Sequence, residues 1–154
     1  MSADAARQIE NLLYRYAELV DAGDFDGMAD LLAQATVGGF DDPGGVRGRD
    51  GIARLFHTTT VRHEDGTPRT KHVTTNVIVE VDEGGETATA RAYFTVFQAL
   101  PGMPLQPIVA GRYRDRFALG PVGWAFTERR FAVDLVGDVS RHLSAGALEG
   151  GRPS

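Results

Sequence analysis

The sequence RTKHVTTNVIVEV, residues 69–81, decides the fold, because it is the longest strand-like run in the chain and carries a histidine near its start. From Lys71 to Val81 the pattern has a period of two, which is the signature of a β-strand. The alternation assigns the side chains to two faces: His72, Thr74, Asn76 and Ile78 on one, and Val73, Thr75, Val77, Val79 and Val81 on the other. The histidine is therefore expected to point to one definite side of a sheet.

Further strand patterns follow this run. Glu83-Gly84-Gly85-Glu86 predicts a hairpin turn into a strand at 87–99, and strands at 108–119 and 124–135 complete a four-stranded antiparallel meander. The connection before the third strand is predicted to be a non-helical loop because it holds three prolines: Pro101, Pro104 and Pro107.

Helical patterns precede the strands. Apolar residues at three- and four-residue spacing predict an amphipathic helix over 5–22, and Gly23 follows it in the usual position for a left-handed C-terminal residue. Asp24 is the predicted N-cap of a second, shorter helix, and Asp50 is the predicted cap of a third. A short strand is expected between these two helices, at 36–40.

This order of elements predicts an α+β fold. Three N-terminal helices packed on a strongly curved, mostly antiparallel sheet would form a cone-shaped half-barrel that buries both sets of apolar faces. The chain has 154 residues, which suits one domain. We expect that domain at 1–136 and a partly disordered C-terminal segment at 137–154, with a docked part near 139–143.

Composition narrows the classes of partner. The net charge of -5 gives no basic footprint for nucleic acid, and no apolar run approaches the roughly 20 residues of a membrane span. The chain has no cysteine, which excludes thiol chemistry and zinc sites built on thiolate. No signal peptide is recognised at the N-terminus, so a cytoplasmic location is expected. Because the charge indicates neither nucleic acid nor an anionic membrane surface, small molecules or proteins are the expected partners.

His72 is the candidate general base, and an imidazole in that role needs a partner that fixes its tautomer. Asp21, in the last turn of the first helix, could be that partner, but it could equally be a partly exposed acid or bind the backbone of its own turn. His72 could likewise be an ordinary strand histidine that bonds a neighbouring carbonyl.

Other polar residues in apolar surroundings are further candidates. Arg129 lies among apolar neighbours on the last strand and needs a carboxylate, such as Asp115 or Asp21, or a ligand anion. Tyr14 and Tyr16 could donate hydrogen bonds to a substrate oxygen, although Tyr16 fits the apolar stripe of its helix. The spacing of the remaining histidines does not indicate a metal site, and no cofactor is expected: His57, His63 and His142.

Three segments resemble one superfamily of cone-shaped α+β domains. They are Tyr16-Ala17-Glu18-Leu19-Val20-Asp21 with Gly23-Asp24-Phe25-Asp26, then Lys71-His72-Val73-Thr74-Thr75-Asn76, and Gly123-Trp124-Ala125-Phe126. The superfamily is the one that includes nuclear transport factor two, ketosteroid isomerase, the polyketide cyclase SnoaL, scytalone dehydratase and lindane dehydrochlorinase. The resemblance spans nearly the whole chain and implies the fold, whereas the superfamily hosts many chemistries and non-catalytic members.

The dehydratase and dehydrochlorinase branch implies roles for individual residues. There, a strand histidine and an aspartate at the end of the first helix form a dyad, and His72 and Asp21 fall on those positions. Arg129 matches, by its spacing from the strand tryptophan, an arginine that assists the leaving group, and Tyr16 matches a helper residue. Phe97 stands where scytalone dehydratase has a second histidine, so scytalone is not the expected substrate.

The resemblance favours a cofactor-independent lyase or isomerase, dehydratase-like, that acts on an apolar cyclic molecule through the His72–Asp21 dyad. The alternatives are a non-catalytic binding domain and a structural subunit similar to the small subunit of ring-hydroxylating dioxygenases. By the same analogy a homodimer or homotrimer is expected. The predicted substrate-binding residues are five aromatic side chains and one amide: Phe40, Phe56, Tyr93, Phe97, Phe131 and Asn76.

Overall fold

A computed structural model describes residues 2–145 and 147, in which three helices pack against one six-stranded sheet. The helices are α1 (Ser2–Asp21), α2 (Phe25–Leu31) and α3 (Arg49–Thr59), and the strands are β1 (Thr36–Gly39), β2 (Val46–Arg47), β3 (Thr70–Val81), β4 (Thr87–Leu100), β5 (Met103–Gly120) and β6 (Gly123–Val136). The strand order is β2-β1-β6-β5-β4-β3, with every neighbouring pair antiparallel except β1 and β6. The α+β fold expected from the sequence is confirmed.

Helix α1 packs its apolar face against the inner face of the sheet. Its sheet contacts are mainly with β3 and β6, and alternating residues of β4 lie in the same core: Ala90, Ala92 and Phe94 are buried while Arg91 and Tyr93 are exposed. The fully or almost fully buried residues of α1 recur at helical spacing: Ile9, Leu13, Tyr16 and Val20. None of the described helices is long and apolar enough to span a membrane.

A β-bulge in β3 makes the predicted faces wrong beyond Thr75. Thr75 and Ile78 pair with β4 residues that are only two positions apart, so Asn76 and Val77 stand opposite a single residue. Asn76 adopts a positive φ of 55°, which asparagine tolerates better than most residues. Because the extra residue reverses the alternation, His72 shares the inner face with three valines while Ile78 is exposed: Val77, Val79 and Val81.

Three local predictions differ from the structure. The predicted proline-rich loop is not present at Pro104 and Pro107, because both residues lie inside β5. Two register shifts against β4 interrupt the hydrogen-bond ladder there, so the strand tolerates prolines. Strand β2 is too short for its pattern to be recognised. Helix α3 is capped by Gly48 rather than by Asp50, which instead lies in the first turn, where a carboxylate complements the helix dipole. The Asp24 cap of α2 is as predicted.

The chain after β6 docks against the end of α3. Val139 packs against the core, and Leu143 forms an isolated β-bridge with Thr60. The docked segment expected near 139–143 is therefore present. The sequence predicts that a loose tail begins directly after it, but Ser144 is still docked, through hydrogen bonds to the carbonyl oxygens of Thr58 and Thr59. The rest of the expected tail, apart from residues 145 and 147, lies outside the described residues.

Candidate functional site

Asp21 and His72 meet where the end of α1 crosses the start of β3. The distance between His72 Nδ1 and Asp21 Oδ1 is 2.6 Å. The carboxylate also accepts hydrogen bonds from the backbone N–H of His72 and the hydroxyl of Thr70, both at 2.8 Å. The side chains of His72 and Asp21 are only 8% and 12% exposed. The structure thus brings together the two residues that the sequence singled out as a pair.

Three hydrogen bonds keep Asp21 ionised. Burial alone would raise the pKa of Asp21, but the hydrogen bonds and charge of His72 and the hydroxyl of Thr70 together lower this pKa below its ordinary value. An ionised Asp21 accepts a hydrogen bond from the Nδ1–H of His72 and so holds the ring in one tautomer. In that tautomer Nε2 of His72 is the atom free to take a proton.

A cleft of about 430 Å³ lies beside this pair, between α1 and β3. Tyr14 borders it with a 39% exposed side chain, so the expected hydroxyl donor is present at the site. This volume is in the range of small-molecule sites. The cleft is lined by eight residues: Tyr14, Ala17, Glu18, Asp21, Ala22, Lys71, His72 and Thr74.

Arg129 lies in a separate buried cluster. Its guanidinium carbon is 4.0 Å from the ring centre of Tyr16 and 3.6 Å from that of Tyr113, a cation–π sandwich. Asp115 provides the opposite charge, with Oδ1 3.8 Å from Nε of Arg129. Of the carboxylate partners considered for Arg129, the structure therefore selects Asp115 and not Asp21.

A second bulge explains why Arg129 points inward. The pairing of β5 with β6 shifts between Arg116 and Phe117, which leaves Thr127 as an extra residue. Phe126 and Arg129 are consequently both buried although they are three positions apart. The register of this strand could not be deduced from its alternation alone.

Tyr16 connects the two groups of charges. Burial raises its pKa; the charge of Arg129 opposes this rise, and the charges of Asp115 and Asp21 add to it. The phenol is therefore neutral at physiological pH and remains a hydrogen-bond donor. Tyr16 is only 9% exposed, as its place in the apolar stripe of α1 predicts.

None of the six predicted substrate-binding residues lines the cleft. Phe56 is partly buried and packs edge-on against Tyr16, whereas Phe97 pairs with Lys71 and therefore lies on the side of the sheet opposite His72. The other four are exposed or lie elsewhere in the fold: Phe40, Tyr93, Phe131 and Asn76. Phe40 instead borders a groove of about 490 Å³, where Arg114 lies over its ring.

Two residues near His72 were missed from the sequence. Thr70 could have been found, because it lies two positions before His72 and therefore on the same strand face. His142 gave no local signal, yet its ring centre is 6.0 Å from that of His72. Within residues 2–145 and 147, no group of three or more His, Cys, Asp or Glu side chains has an arrangement suited to a metal ion.

Comparisons with known proteins agree with this architecture. A family described as a SnoaL-like domain matches residues 1–130. A nuclear transport factor two-like protein with a cystatin-like fold from Novosphingobium aromaticivorans is similar over 96% of this chain and 88% of its own, with 24% identity and a TM-score of 0.69. No curated protein matches.

Two further solved structures are similar. A variant of a protein of unknown function from Mycobacterium tuberculosis shares 27% identity over 86% of this chain and 78% of its own, with a TM-score of 0.65. A candidate scytalone dehydratase from Novosphingobium aromaticivorans shares 20% identity over 86% and 85% of the two chains, with a TM-score of 0.66. These similarities establish the fold and leave the reaction open.

Proposed function

This chain belongs to the family of SnoaL-like domains, and we propose from its site that it is a cofactor-independent lyase or isomerase. The substrate would be an apolar, cyclic small molecule. The observation that carries the proposal is the buried 2.6 Å contact between His72 Nδ1 and Asp21 Oδ1 beside a cleft. A positioned imidazole base of this kind contributes about 10²–10⁴ in rate.

In the dehydratase form of the reaction, Nε2 of His72 removes a proton from the carbon next to a carbonyl group. The electrons of that C–H bond form the new double bond, and the C–O bond to the β-hydroxyl breaks. The leaving hydroxide takes the proton from the His72 imidazolium and departs as water, which returns His72 to its neutral form. Asp21 holds the ring in place and stabilises the intermediate cation.

Two polar groups support this proposal. Tyr14 borders the cleft and can donate a hydrogen bond to a substrate oxygen. Arg129 is fully buried with Asp115, so its positive charge would act through Tyr16, against which it stacks. In this arrangement Tyr14 is a catalytic residue, and Arg129 and Tyr16 are positioning residues.

A second candidate function is binding of a small hydrophobic molecule without conversion. It is favoured by the position of Arg129, which is buried with Asp115 in a cluster of its own and does not line the cleft, so it makes no direct contact with a ligand there. The same cleft would serve both functions. The distinction therefore depends on whether a bound compound changes.

We test the catalytic proposal with 3-hydroxy-1-tetralone, whose dehydration gives fluorescent 1-naphthol and water, and with deuterium exchange of 2-tetralone in D₂O. His72→Gln should lower either rate by at least about 10²-fold, because it removes the base. His57→Gln, at an exposed position on α3, is the matched control and should retain the wild-type rate.

The outcomes separate the two functions. A His72→Gln variant as fast as the wild type would exclude the proposed mechanism. Recovery of unchanged 3-hydroxy-1-tetralone from a stable complex, together with no exchange of 2-tetralone, would favour the binding function.

We also propose that the protein is a homodimer or homotrimer. Three large apolar side chains on the outer face of the sheet are exposed in the single chain, and exposed apolar surface of this kind commonly marks an interface. They are Val73, Tyr93 and Leu135.

A further inference from the structure

The segment 138–144, which follows β6, brings a second histidine next to the dyad. The ring centres of His142 and His72 are 6.0 Å apart, and the ring planes are inclined by 63°. His142 is only 6% exposed, and its Nδ1 has no hydrogen-bond partner among the described residues. An unpaired polar atom in a buried position needs an explanation.

The imidazole of His142 is not needed to dock the segment. The hydrogen bonds that hold the segment use backbone atoms or other side chains. The backbone N–H of Val61 donates to His142 O (2.8 Å), and that of Ser144 donates to Thr59 O (2.9 Å). The carbonyl oxygen of Arg141 accepts from His63 Nε2 (2.9 Å) and Gln98 Nε2 (3.2 Å). Burying this ring with an unpaired nitrogen therefore costs free energy without securing the segment.

His142 is neutral near pH 7. Burial first, and then the charges of His72 and His63, lower its pKa to about 4, while the charge of Asp21 opposes them. A neutral imidazole carries one N–H donor and one acceptor nitrogen. It can bind a substrate oxygen beside His72 without adding a second positive charge when His72 takes up a proton.

Gln98, which binds the same segment, carries a buried and unpaired acceptor. Its Nε2 donates to the carbonyl oxygens of Pro68 and Arg141, whereas its Oε1 is buried without a hydrogen-bond partner among the described residues. Gln98 also pairs in the sheet with Thr70, the residue that donates to Asp21. His142 Nδ1 and Gln98 Oε1 are thus both buried and unpaired near the dyad, and a hydroxyl or enol group, which can both donate and accept, suits such a pair.

We infer that His142 is a second catalytic residue of the His72 site, which binds the hydroxyl or enol oxygen of a planar cyclic substrate. The two rings lie edge to face with their centres 6.0 Å apart, so one oxygen atom can lie at hydrogen-bond distance, roughly 3 Å, from a nitrogen of each ring while the rest of the substrate stays outside the gap. His142 does not line the cleft between α1 and β3, so the oxygen would lie beyond His72, at the buried end. This inference rests on the proposed function and deepens it by naming the recognised group.

The test compares binding of 2-naphthol, a planar compound with a hydroxyl in the enol position, with binding of naphthalene. His142→Phe keeps a ring but removes the donor, and it should weaken 2-naphthol binding at least tenfold while naphthalene binding stays within twofold. His142→Gln restores a neutral donor and should recover 2-naphthol binding to within about threefold. His57→Gln is the matched control and should bind both compounds as the wild type does.

Two further readouts complete the experiment. In the wild type, 2-naphthol should shift the ring ¹⁵N resonances of both His72 and His142. Thermal unfolding of each variant separates loss of recognition from loss of folding.

Several outcomes would overturn the inference. The first is an equal affinity of His142→Phe and the wild type for 2-naphthol. The second is an equal loss of affinity for 2-naphthol and for naphthalene in both His142 variants, and the third is a wild type that binds neither compound. None of these results depends on turnover, so the effect of His72→Gln on 3-hydroxy-1-tetralone decides the proposed function separately.

Discussion

Asp21 lies at the C-terminal end of α1, where the partial negative charge of the helix disfavours a carboxylate by up to about 1 kcal/mol. The backbone N–H of His72, its imidazole and the hydroxyl of Thr70 all donate to this side chain. These donors outweigh both burial and the helix end, so the pKa of Asp21 is lowered. A group whose pKa is depressed in the folded protein contributes stability above its ordinary pKa and loses it as the pH falls.

This predicts a carboxyl titration that depends on His72. Followed by ¹³C NMR, the Asp21 carboxyl should titrate below its ordinary pKa of 3.8 in the wild type and at a higher pH in His72→Gln. Thr70→Val removes only the hydroxyl and should give a smaller rise in the pKa of Asp21. If the pKa of Asp21 is unchanged in His72→Gln, the two side chains are not coupled in solution.

Asp115 has a pKa that is shifted in the opposite direction to that of Asp21. Its carboxyl is completely buried, and burial raises its pKa to about 6, although the charge of Arg129 opposes the rise. Between pH 3.8 and about 6, the carboxyl of Asp115 therefore keeps its proton in the folded state, whereas it has lost this proton in the unfolded state. The resulting stability is present below pH 3.8 and is lost as the pH rises through about 6.

Asp115→Asn should remove this pH dependence. Urea unfolding at several pH values should show that the stability of the wild type relative to Asp115→Asn falls by up to about 3 kcal/mol between about pH 4 and pH 7, since one pKa unit corresponds to 1.36 kcal/mol. A stability difference that is constant over this range would show that Asp115 has an ordinary pKa in the folded protein.

At the level of secondary-structure elements, the turn after α1 positions the dyad. Gly23 ends the helix with a φ of 72°, which glycine adopts without strain. A Cβ at this position would overlap the carbonyl oxygen of Gly66, in the loop before β3. The close approach of two backbones therefore sets the position of Asp21 relative to His72.

Gly23→Ala is predicted to destabilise the fold by more than about 2 kcal/mol, because positive φ costs roughly 1–2 kcal/mol for a residue with a Cβ and the clash with Gly66 adds to it. The same variant should slow turnover by displacing Asp21. Gly84→Ala, where a Cβ meets nothing within 4 Å, is the control and should be close to neutral in urea unfolding. Equal stability of the two variants would contradict the packing described for this turn.

At the level of the whole molecule, the sheet has two unlike faces. The inner face carries the core and the dyad, whereas the outer face of β4 and its neighbours exposes large side chains such as Tyr93 at 53%. Burying such a surface between copies of the chain would remove apolar area from water.

Light scattering coupled to gel filtration should therefore give a mass two or three times the 16.6 kDa of the chain. Tyr93→Glu places a charge on the outer face of the sheet and should shift the population towards the monomer, whereas Val122→Glu, at a fully exposed turn position, should not. A monomeric mass for the wild type at micromolar concentration would refute the proposed assembly.

The sequence by itself determined the helices, the long strands and the fold, because each depends on local periodicity, caps and turn residues that lie within a few positions of one another. It also indicated His72 and Asp21, through their positions in segments that resemble known proteins. Thr70 was within reach of the same reasoning, since it shares a strand face with His72.

Only the tertiary structure decided which side chains meet. The bulges at Asn76 and Thr127 each add one residue, and a change of one residue reverses a strand's faces, which no alternation pattern reveals in advance. The pairing of Arg129 with Asp115 and the approach of His142 to His72 depend on chain folding over long separations. Such contacts are set by packing of the whole domain; the sequence offered Asp115 and Asp21 as candidates for Arg129 and could not choose between them.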